Sequence, residues 1–98
     1  MKYRARYLIT AKQDREAIKA YLDQFSSTAS SRLFGKIKSK MELVKENPYM
    51  YKAYERRPQF RIMVVEDYLV FYKVNEADSV VEVHHMFRGT MDVEQHFH

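Results

Sequence analysis

The chain has 98 residues, contains no cysteine and carries a formal net charge of +4. A chain of this length has room for one core, so we expect residues 1–98 to form a single domain. The absence of cysteine excludes disulfide scaffolds and thiolate metal sites, and no apolar run reaches the roughly 18 residues that a membrane-spanning helix needs. The N-terminal residues lack the apolar core of a secretory signal, so we expect a cytoplasmic protein.

Positive charge is concentrated in the middle of the chain. Residues 28–61 carry a local net charge of +6, from nine basic and three acidic side chains, whereas residues 66–98 carry −5. This distribution favours a surface that meets an anionic partner, either nucleic acid or an acidic protein segment. A solvated lysine face is the alternative. The contact residues predicted within the basic segment are Lys36, Lys40, Lys52, Arg56, Arg57 and Arg61.

The first half of the chain predicts one strand and two helices. Residues 3–9 alternate between apolar and basic side chains, as in a half-buried strand. Thr10 begins a capping-box spacing, and apolar residues, with Phe25 as the last, recur at the helical period from there. A serine and threonine run at 26–28 offers N-caps for the second helix. Asn47-Pro48 ends that helix, because the residue before proline avoids the α region.

Three apolar runs rich in β-branched and aromatic residues follow, at 60–65, 68–74 and 80–88. Connections this short require antiparallel pairing, because a parallel crossover needs a dozen or more residues. We therefore predict an α+β fold of the order β-α-α-β-β-β. It has an antiparallel sheet of about four strands, with the helix hairpin packed on one face and the other face uncovered.

Strand alternation assigns side chains to the two faces of this sheet. If the even-numbered residues of the first run, 60 to 64, face the helices, the uncovered face carries Arg61, Met63, Leu69 and Phe71. We predict an exposed apolar patch with a basic rim, which suits a protein partner. The alternative is that residues 93–97 fold back and cover the patch.

Several short segments, in this order and spacing, carry a family resemblance. They are Ala11, Asp14, Ile18 and Tyr21-Leu22 in the first helix, Leu43 to Pro48 at the end of the second, Phe60-Arg61, the strand from Asp67 to Val74, and Arg88-Gly89 with Asp92. The chain resembles the RelE/ParE superfamily, the toxins of bacterial type II toxin-antitoxin modules. The resemblance implies a growth-inhibiting cytoplasmic toxin that a cognate antitoxin neutralises, without a small-molecule cofactor, metal or membrane.

The superfamily has two branches, and two residues of this chain bear on the choice. One branch comprises ribosome-dependent mRNA endonucleases similar to RelE and YoeB, and the other comprises ParE-type proteins that poison DNA gyrase without nuclease activity. Leu69 stands where the nuclease branch typically has an arginine, and Met63 stands at a position that is often basic there. The resemblance therefore implies the ParE-like branch, with a protein target such as DNA gyrase.

The alternative is a RelE-like or YoeB-like endonuclease that acts on mRNA at the ribosome through an altered, metal-independent site. RNA cleavage needs cations at the phosphate and a group that moves protons. Arg61 and Arg88, expected near one another, are the candidate phosphate binders, because a guanidinium binds phosphate oxygens in a bidentate fork. His84 and His85, expected on opposite strand faces, are the candidate proton carriers. The four histidines show no metal-ligand spacing, so no metal site is predicted.

Overall fold

The structure is a computed structural model and describes residues 2–89. Its elements are β1 (Arg4–Tyr7), α1 (Ile9–Asp23), α2 (Ala29–Glu46), β2 (Ala53–Tyr54), β3 (Arg57–Val65), β4 (Tyr68–Asn75) and β5 (Val80–Arg88). This order confirms the predicted fold, with the short β2 added. Neither helix of the described part is long and apolar enough to cross a membrane. The predictions that concern residues 90–98, including Asp92 and the segment 93–97, lie outside the described residues.

One mixed sheet of five strands has the order β1-β5-β4-β3-β2. Strands β3, β4 and β5 pair antiparallel through short connections, as predicted. β1 pairs with β5 in parallel, from Arg4 opposite Val80 to Tyr7 opposite Val83. The sheet is therefore not purely antiparallel, because the two helices and three strands that separate β1 from β5 let the last strand lie beside the first in the same direction.

Polar side chains at the helix ends do not all act as the sequence suggests. Leu8, not Thr10, precedes α1, and it makes no side-chain cap. The Thr10 hydroxyl instead donates to the His84 carbonyl over 2.6 Å, so the capping-box prediction is wrong. At the other end of α1, the buried Ser30 hydroxyl donates to Asp23 Oδ1 over 2.7 Å. This bond joins the end of α1 to the first turn of α2.

The main core lies between the helix hairpin and one face of the sheet. The helices contribute Ala11, Ile18, Leu33, Ile37, Met41 and Val44, and the sheet contributes Met63, Val65, Tyr68, Val70, Tyr72, Val81, Val83 and Met86. A second, smaller cluster occupies the face that the helices do not cover, and consists of Phe60, Phe71 and Phe87 with Tyr54, Ile62 and Leu69 packed against them. Phe25, the last residue of the predicted helical period, lies beyond the end of α1 and is 71% exposed, so it is not part of the helix.

Gly35 lies in the interior of α2 on an exposed face, and a Cβ built there would meet no atom within 4 Å. Replacing Gly35 by alanine is expected to raise the free energy of unfolding by about 0.5–1 kcal/mol, because glycine loses more backbone entropy in a helix. Urea denaturation measures the change. Gly35→Val is the matched control and should gain less, since a β-branched side chain loses rotamer freedom in a helix. A lower stability for the alanine variant would contradict the prediction.

Candidate functional site

The register of the β3–β4 hairpin corrects the predicted assignment of side chains to sheet faces. Val64 lies opposite Leu69, and Ile62 lies opposite Phe71. Leu69 and Phe71 therefore share the helix-free face with the even-numbered residues of β3. Met63 lies on the helix side and is 0% exposed, so the prediction that it binds a partner on the uncovered face is wrong.

The helix-free face carries a compact aromatic cluster and not the exposed patch that the sequence predicted. Phe71 is 0% exposed, and its ring stacks on Phe87 with centroids 5.1 Å apart. The ring of Phe60 meets Phe71 edge-on at 6.5 Å. Phe71 was predicted as a contact residue, but its side chain is inaccessible. The large hydrophobic side chain that remains exposed on the β3 part of this face is Val64, at 51%.

A groove beside the outer part of β3 gathers three of the predicted contact residues. We call it the β3-edge groove, and it is lined by Lys52, Ala53, Tyr54, Glu55, Arg56, Ile62, Val64 and Leu69. Lys52 and Arg56 are exposed, whereas Leu69 is half-buried. The groove therefore combines an apolar floor with two exposed cationic residues at its rim, and Glu55 is the one acid among its lining residues.

Two further predicted contact residues reach the same edge of the sheet from α2. The Lys36 ammonium forms an ion pair with Glu66 in the β3–β4 connection. The Lys40 ammonium donates to the Val64 carbonyl over 3.3 Å. Arg57, the remaining basic candidate of this region, is half-buried at the start of β3. Both lysines thus lie beside β3, in contact with groups of its own hairpin.

Arg61 is held among tyrosines on the helix side of β3. Its Nη1 donates to the Tyr51 carbonyl over 2.6 Å, and its guanidinium lies 4.8 Å from the centre of the Tyr49 ring. Tyr72 is the cross-strand partner of Arg61, and its hydroxyl donates to the Pro48 carbonyl over 2.8 Å. Burial raises the pKa of Tyr72 to about 12. These contacts hold Arg61 on the helix side of the sheet. The prediction that it lies on the uncovered face is therefore wrong.

Arg88 ends β5, beside the β3–β4 connection. It is opposite Tyr68 on β4, whereas Arg61 is opposite Tyr72. These two partners lie about 13 Å apart along β4, at ~3.3 Å per residue. Arg88 Nη1 lies 3.2 Å from the Tyr21 hydroxyl, with the guanidinium 5.6 Å from the ring centre. The prediction that Arg61 and Arg88 lie together is therefore wrong, because Arg88 is opposite the first residue of β4 and Arg61 is opposite a residue in its middle.

His84 and His85 lie at a bulge, which interrupts the expected alternation of side chains. Phe71 is opposite His85 and Tyr72 is opposite Val83, so His84 is an extra residue on β5. The two imidazole centroids are 6.5 Å apart. The prediction that the rings point to opposite faces is therefore wrong, since an inserted residue shifts the alternation that the prediction assumed.

His84 lies in a small cluster of charged side chains. Its Nε2 is 3.5 Å from Glu82 Oε1, and its ring meets Phe60 edge-on at 5.1 Å. Glu82 Oε2 also accepts from Arg6 Nη2 over 2.7 Å, and Lys73 is the cross-strand partner of Glu82. Arg6, Lys73 and Glu82 were not predicted as site residues, and Arg6 reaches this position only through the parallel β1–β5 pairing. Within residues 2–89, no three acidic or histidine side chains are arranged to hold a metal ion.

His85 instead contacts α1. Its Nδ1 is 3.6 Å from Asp14 Oδ2, which also accepts from the Met86 amide over 3.0 Å. Asp14 therefore joins α1 to the bulged strand, and His85 is attached to this structural link. The two neighbouring histidines thus have different carboxylate partners on different elements.

The environment of His84 predicts a pH dependence of stability. Burial lowers the pKa of His84 below its ordinary value of 6.5, Lys73 and Arg6 lower it further, and Glu82 opposes the shift. As the pH falls below 6.5, the unfolded chain takes up this proton before the folded chain, so the free energy of unfolding should fall. His84→Phe should make the decrease below pH 6.5 shallower, as measured by urea denaturation at a series of pH values. A slope that is unchanged or steeper would contradict the assignment.

Comparison with known proteins identifies the family to which the chain is similar. The family model described as the ParE toxin of the type II toxin-antitoxin system parDE matches residues 5–93. None of the curated proteins matches the chain significantly. The toxin-antitoxin complex RelBE2 from Mycobacterium tuberculosis is similar in structure, with a TM-score of 0.65, 12% identity, and coverage of 90% of this chain and 99% of that chain.

The E. coli toxin RelE, solved in the free state as a double arginine-to-alanine mutant, is also similar. Its TM-score is 0.69 at 17% identity, and the match covers 99% of this chain and 92% of that chain. Both structures share the fold of this protein.

Proposed function

The chain belongs to the ParE toxin family of type II toxin-antitoxin systems, and from this premise we propose that it inhibits growth by binding a protein target. DNA gyrase is the target that the family resemblance implies. The proposal places the action in the cytoplasm and assigns the neutralisation of the toxin to a cognate antitoxin.

The position of the two arginines is the observation that carries the proposal. Arg61 and Arg88 lie on different strands, opposite Tyr72 and Tyr68 of β4, with about 13 Å between these rows at ~3.3 Å per residue, so they are not placed to hold one phosphodiester between them. Each guanidinium also contacts a tyrosine ring of its own surroundings. Catalysis by electrostatic stabilisation needs donors already aimed at the place where charge develops. The separation supports a role other than RNA cleavage through the predicted pair.

The side chains that line the β3-edge groove support recognition of a protein. Its floor of Ile62, Val64 and Leu69 is apolar, and the cations Lys52 and Arg56 stand at its rim. Protein interfaces commonly combine an apolar centre with a polar rim. A basic rim also speeds the approach of an acidic partner.

A second candidate, an endonuclease of the RelE type, is favoured by the cluster around His84. An imidazole with a lowered pKa is neutral near pH 7 and can accept a proton. Lys73 and Arg6 are cations close enough to lower that pKa, and Glu82 lies 3.5 Å from His84 Nε2. In such an endonuclease, Lys73 and Arg6 would bind the phosphate in place of the separated Arg61 and Arg88.

The two candidates give different results in one experiment. The purified toxin is added to a DNA gyrase supercoiling assay and, in parallel, to a translating extract in which mRNA cleavage is mapped. We expect inhibition of supercoiling and intact mRNA, with His84→Phe as active as the wild type. Cleaved mRNA with unaffected supercoiling, abolished by His84→Phe, would overturn the proposal in favour of the endonuclease. Toxin premixed with its antitoxin is the control in both assays.

A further inference from the structure

A cavity of about 370 Å³ lies between β1 and the two helices, at the opposite edge of the sheet from the β3-edge groove. We call it the β1-edge cavity. It is lined by side chains of β1 and α2, with contributions from α1 and β5, and its β1 residues are Ala5 and Tyr7. Its volume suits a small molecule, since ligand sites in proteins begin at about 300 Å³.

The inner wall of the β1-edge cavity is apolar. Ile37 and Met41 of α2 and Met86 of β5 line it, and all three are buried members of the main core. The Phe34 ring, partly buried, packs against the same core. A ligand with an apolar body would therefore remove apolar surface from water on entering the cavity, which stabilises binding.

Two exposed cations also line the cavity, Arg15 on α1 and Lys38 on α2. Neither forms an ion pair with a residue of the described part of the chain. The Arg15 guanidinium lies 4.8 Å from the centre of the Phe34 ring, so it stands beside the apolar wall. The other two charged lining residues, Lys45 and Glu42, pair with each other over 2.6 Å. The cavity therefore keeps an excess of positive charge next to an apolar surface.

Tyr7 adds a hydrogen-bond donor to the same cavity. Its side chain is half-buried, and its hydroxyl has no hydrogen-bond partner within residues 2–89. Burial raises the pKa of Tyr7, and the nearby Arg15 charge opposes this shift. The phenol is therefore protonated at neutral pH and lies within electrostatic reach of Arg15. An anion beside Arg15 would satisfy both groups.

We propose that the β1-edge cavity binds a small carboxylic acid with an apolar body. The Arg15 guanidinium binds the carboxylate through a bidentate fork, Lys38 adds a second positive charge, and the Tyr7 hydroxyl donates a hydrogen bond. The apolar body lies against Phe34 and the buried inner wall. Inorganic phosphate would meet the same cations but would leave the apolar wall in contact with water. The site is remote from the β3-edge groove, so the inference does not depend on the proposed function.

An NMR titration of the full-length toxin with 4-phenylbutyrate tests the inference. We expect saturable shifts of the Tyr7, Phe34 and Lys38 amides. The matched control ligand is 4-phenylbutan-1-ol, which keeps the ring and chain and should bind at least about tenfold more weakly, because charge-assisted hydrogen bonds are lost. Inorganic phosphate should also bind at least about tenfold more weakly, because it buries no apolar surface. The absence of saturable shifts at these residues would overturn the inference, as would equal binding of the alcohol or of phosphate.

Substitution of Arg15 supplies a second measurement. Arg15→Gln removes the guanidinium at an exposed position and should weaken 4-phenylbutyrate binding at least about tenfold. Lys12→Gln makes the same charge change at an exposed residue of α1 that does not line the cavity, so it is the matched control and should bind like the wild type. Equal affinity of the three proteins would contradict the assigned site. A toxin that binds 4-phenylbutyrate as expected but leaves DNA supercoiling unaffected would refute the proposed function alone.

Discussion

Phe71→Ala is expected to lower the free energy of unfolding by about 3–5 kcal/mol, the usual cost of removing a fully buried phenylalanine. The Phe71 side chain is 0% exposed and stacks on Phe87 with an interplanar angle of 16°. The rings of Tyr54 and Phe60 meet its edges at 5.5 and 6.5 Å. The alanine variant would lose these contacts and leave a cavity in a cluster of only three buried rings. In a small domain of ordinary stability, this loss is enough to unfold much of the protein.

Urea denaturation monitored by circular dichroism measures this effect. Val64→Ala, at a side chain that is 51% exposed on the same face, is the matched control and should cost less than about 1 kcal/mol. The comparison matters for function, because a loss of toxicity in Phe71→Ala reports unfolding and not a lost contact with the target. A Phe71→Ala protein with wild-type stability would show that the aromatic cluster contributes little to the fold.

The order of elements was predictable from local patterns. Helical periodicity, Asn47-Pro48 and the short connections between the last three strands suffice for the hairpin and the antiparallel strands. The parallel pairing of β1 with β5 was not predictable in this way. It depends on contacts between residues about 76 positions apart, such as Arg4 and Val80. The cluster of Arg6 with Glu82 was missed for the same reason.

The turn after β3 could have predicted which β3 side chains lie on the helix-free face. Ile62 to Val65 is an unbroken apolar run, so its composition does not distinguish the buried face from the other. The two-residue connection Glu66-Asp67 does distinguish them, because it requires Val64 to lie opposite Leu69. Leu69 was assigned to the helix-free face, which places Val64 there and Met63 with the helices. The bulge at His84 carries no such local signal, since no glycine marks it.

Reversing the two rim charges of the β3-edge groove, Lys52→Glu with Arg56→Glu, is expected to weaken antitoxin binding by about one to two orders of magnitude. Both side chains are exposed, and neither forms an ion pair within residues 2–89, so the fold should keep its stability to within about 0.5 kcal/mol. The loss arises because attraction of an acidic segment becomes repulsion, which mainly slows association. The affinity of the wild type should fall as salt rises, and that of the variant should not.

The matched control separates this local effect from the change in total charge. Arg4→Glu with Lys12→Glu makes the same change of net charge at exposed positions, and Arg4 lies on β1, at the opposite edge of the sheet from the groove. We expect this control to bind antitoxin within about threefold of the wild type, since charges more than a Debye length of ~8 Å away are largely screened at physiological salt. Titration calorimetry at two salt concentrations compares the three proteins. Equal losses in both variants would show that total charge, and not the groove, attracts the partner, because only a local contact depends on where the charge stands.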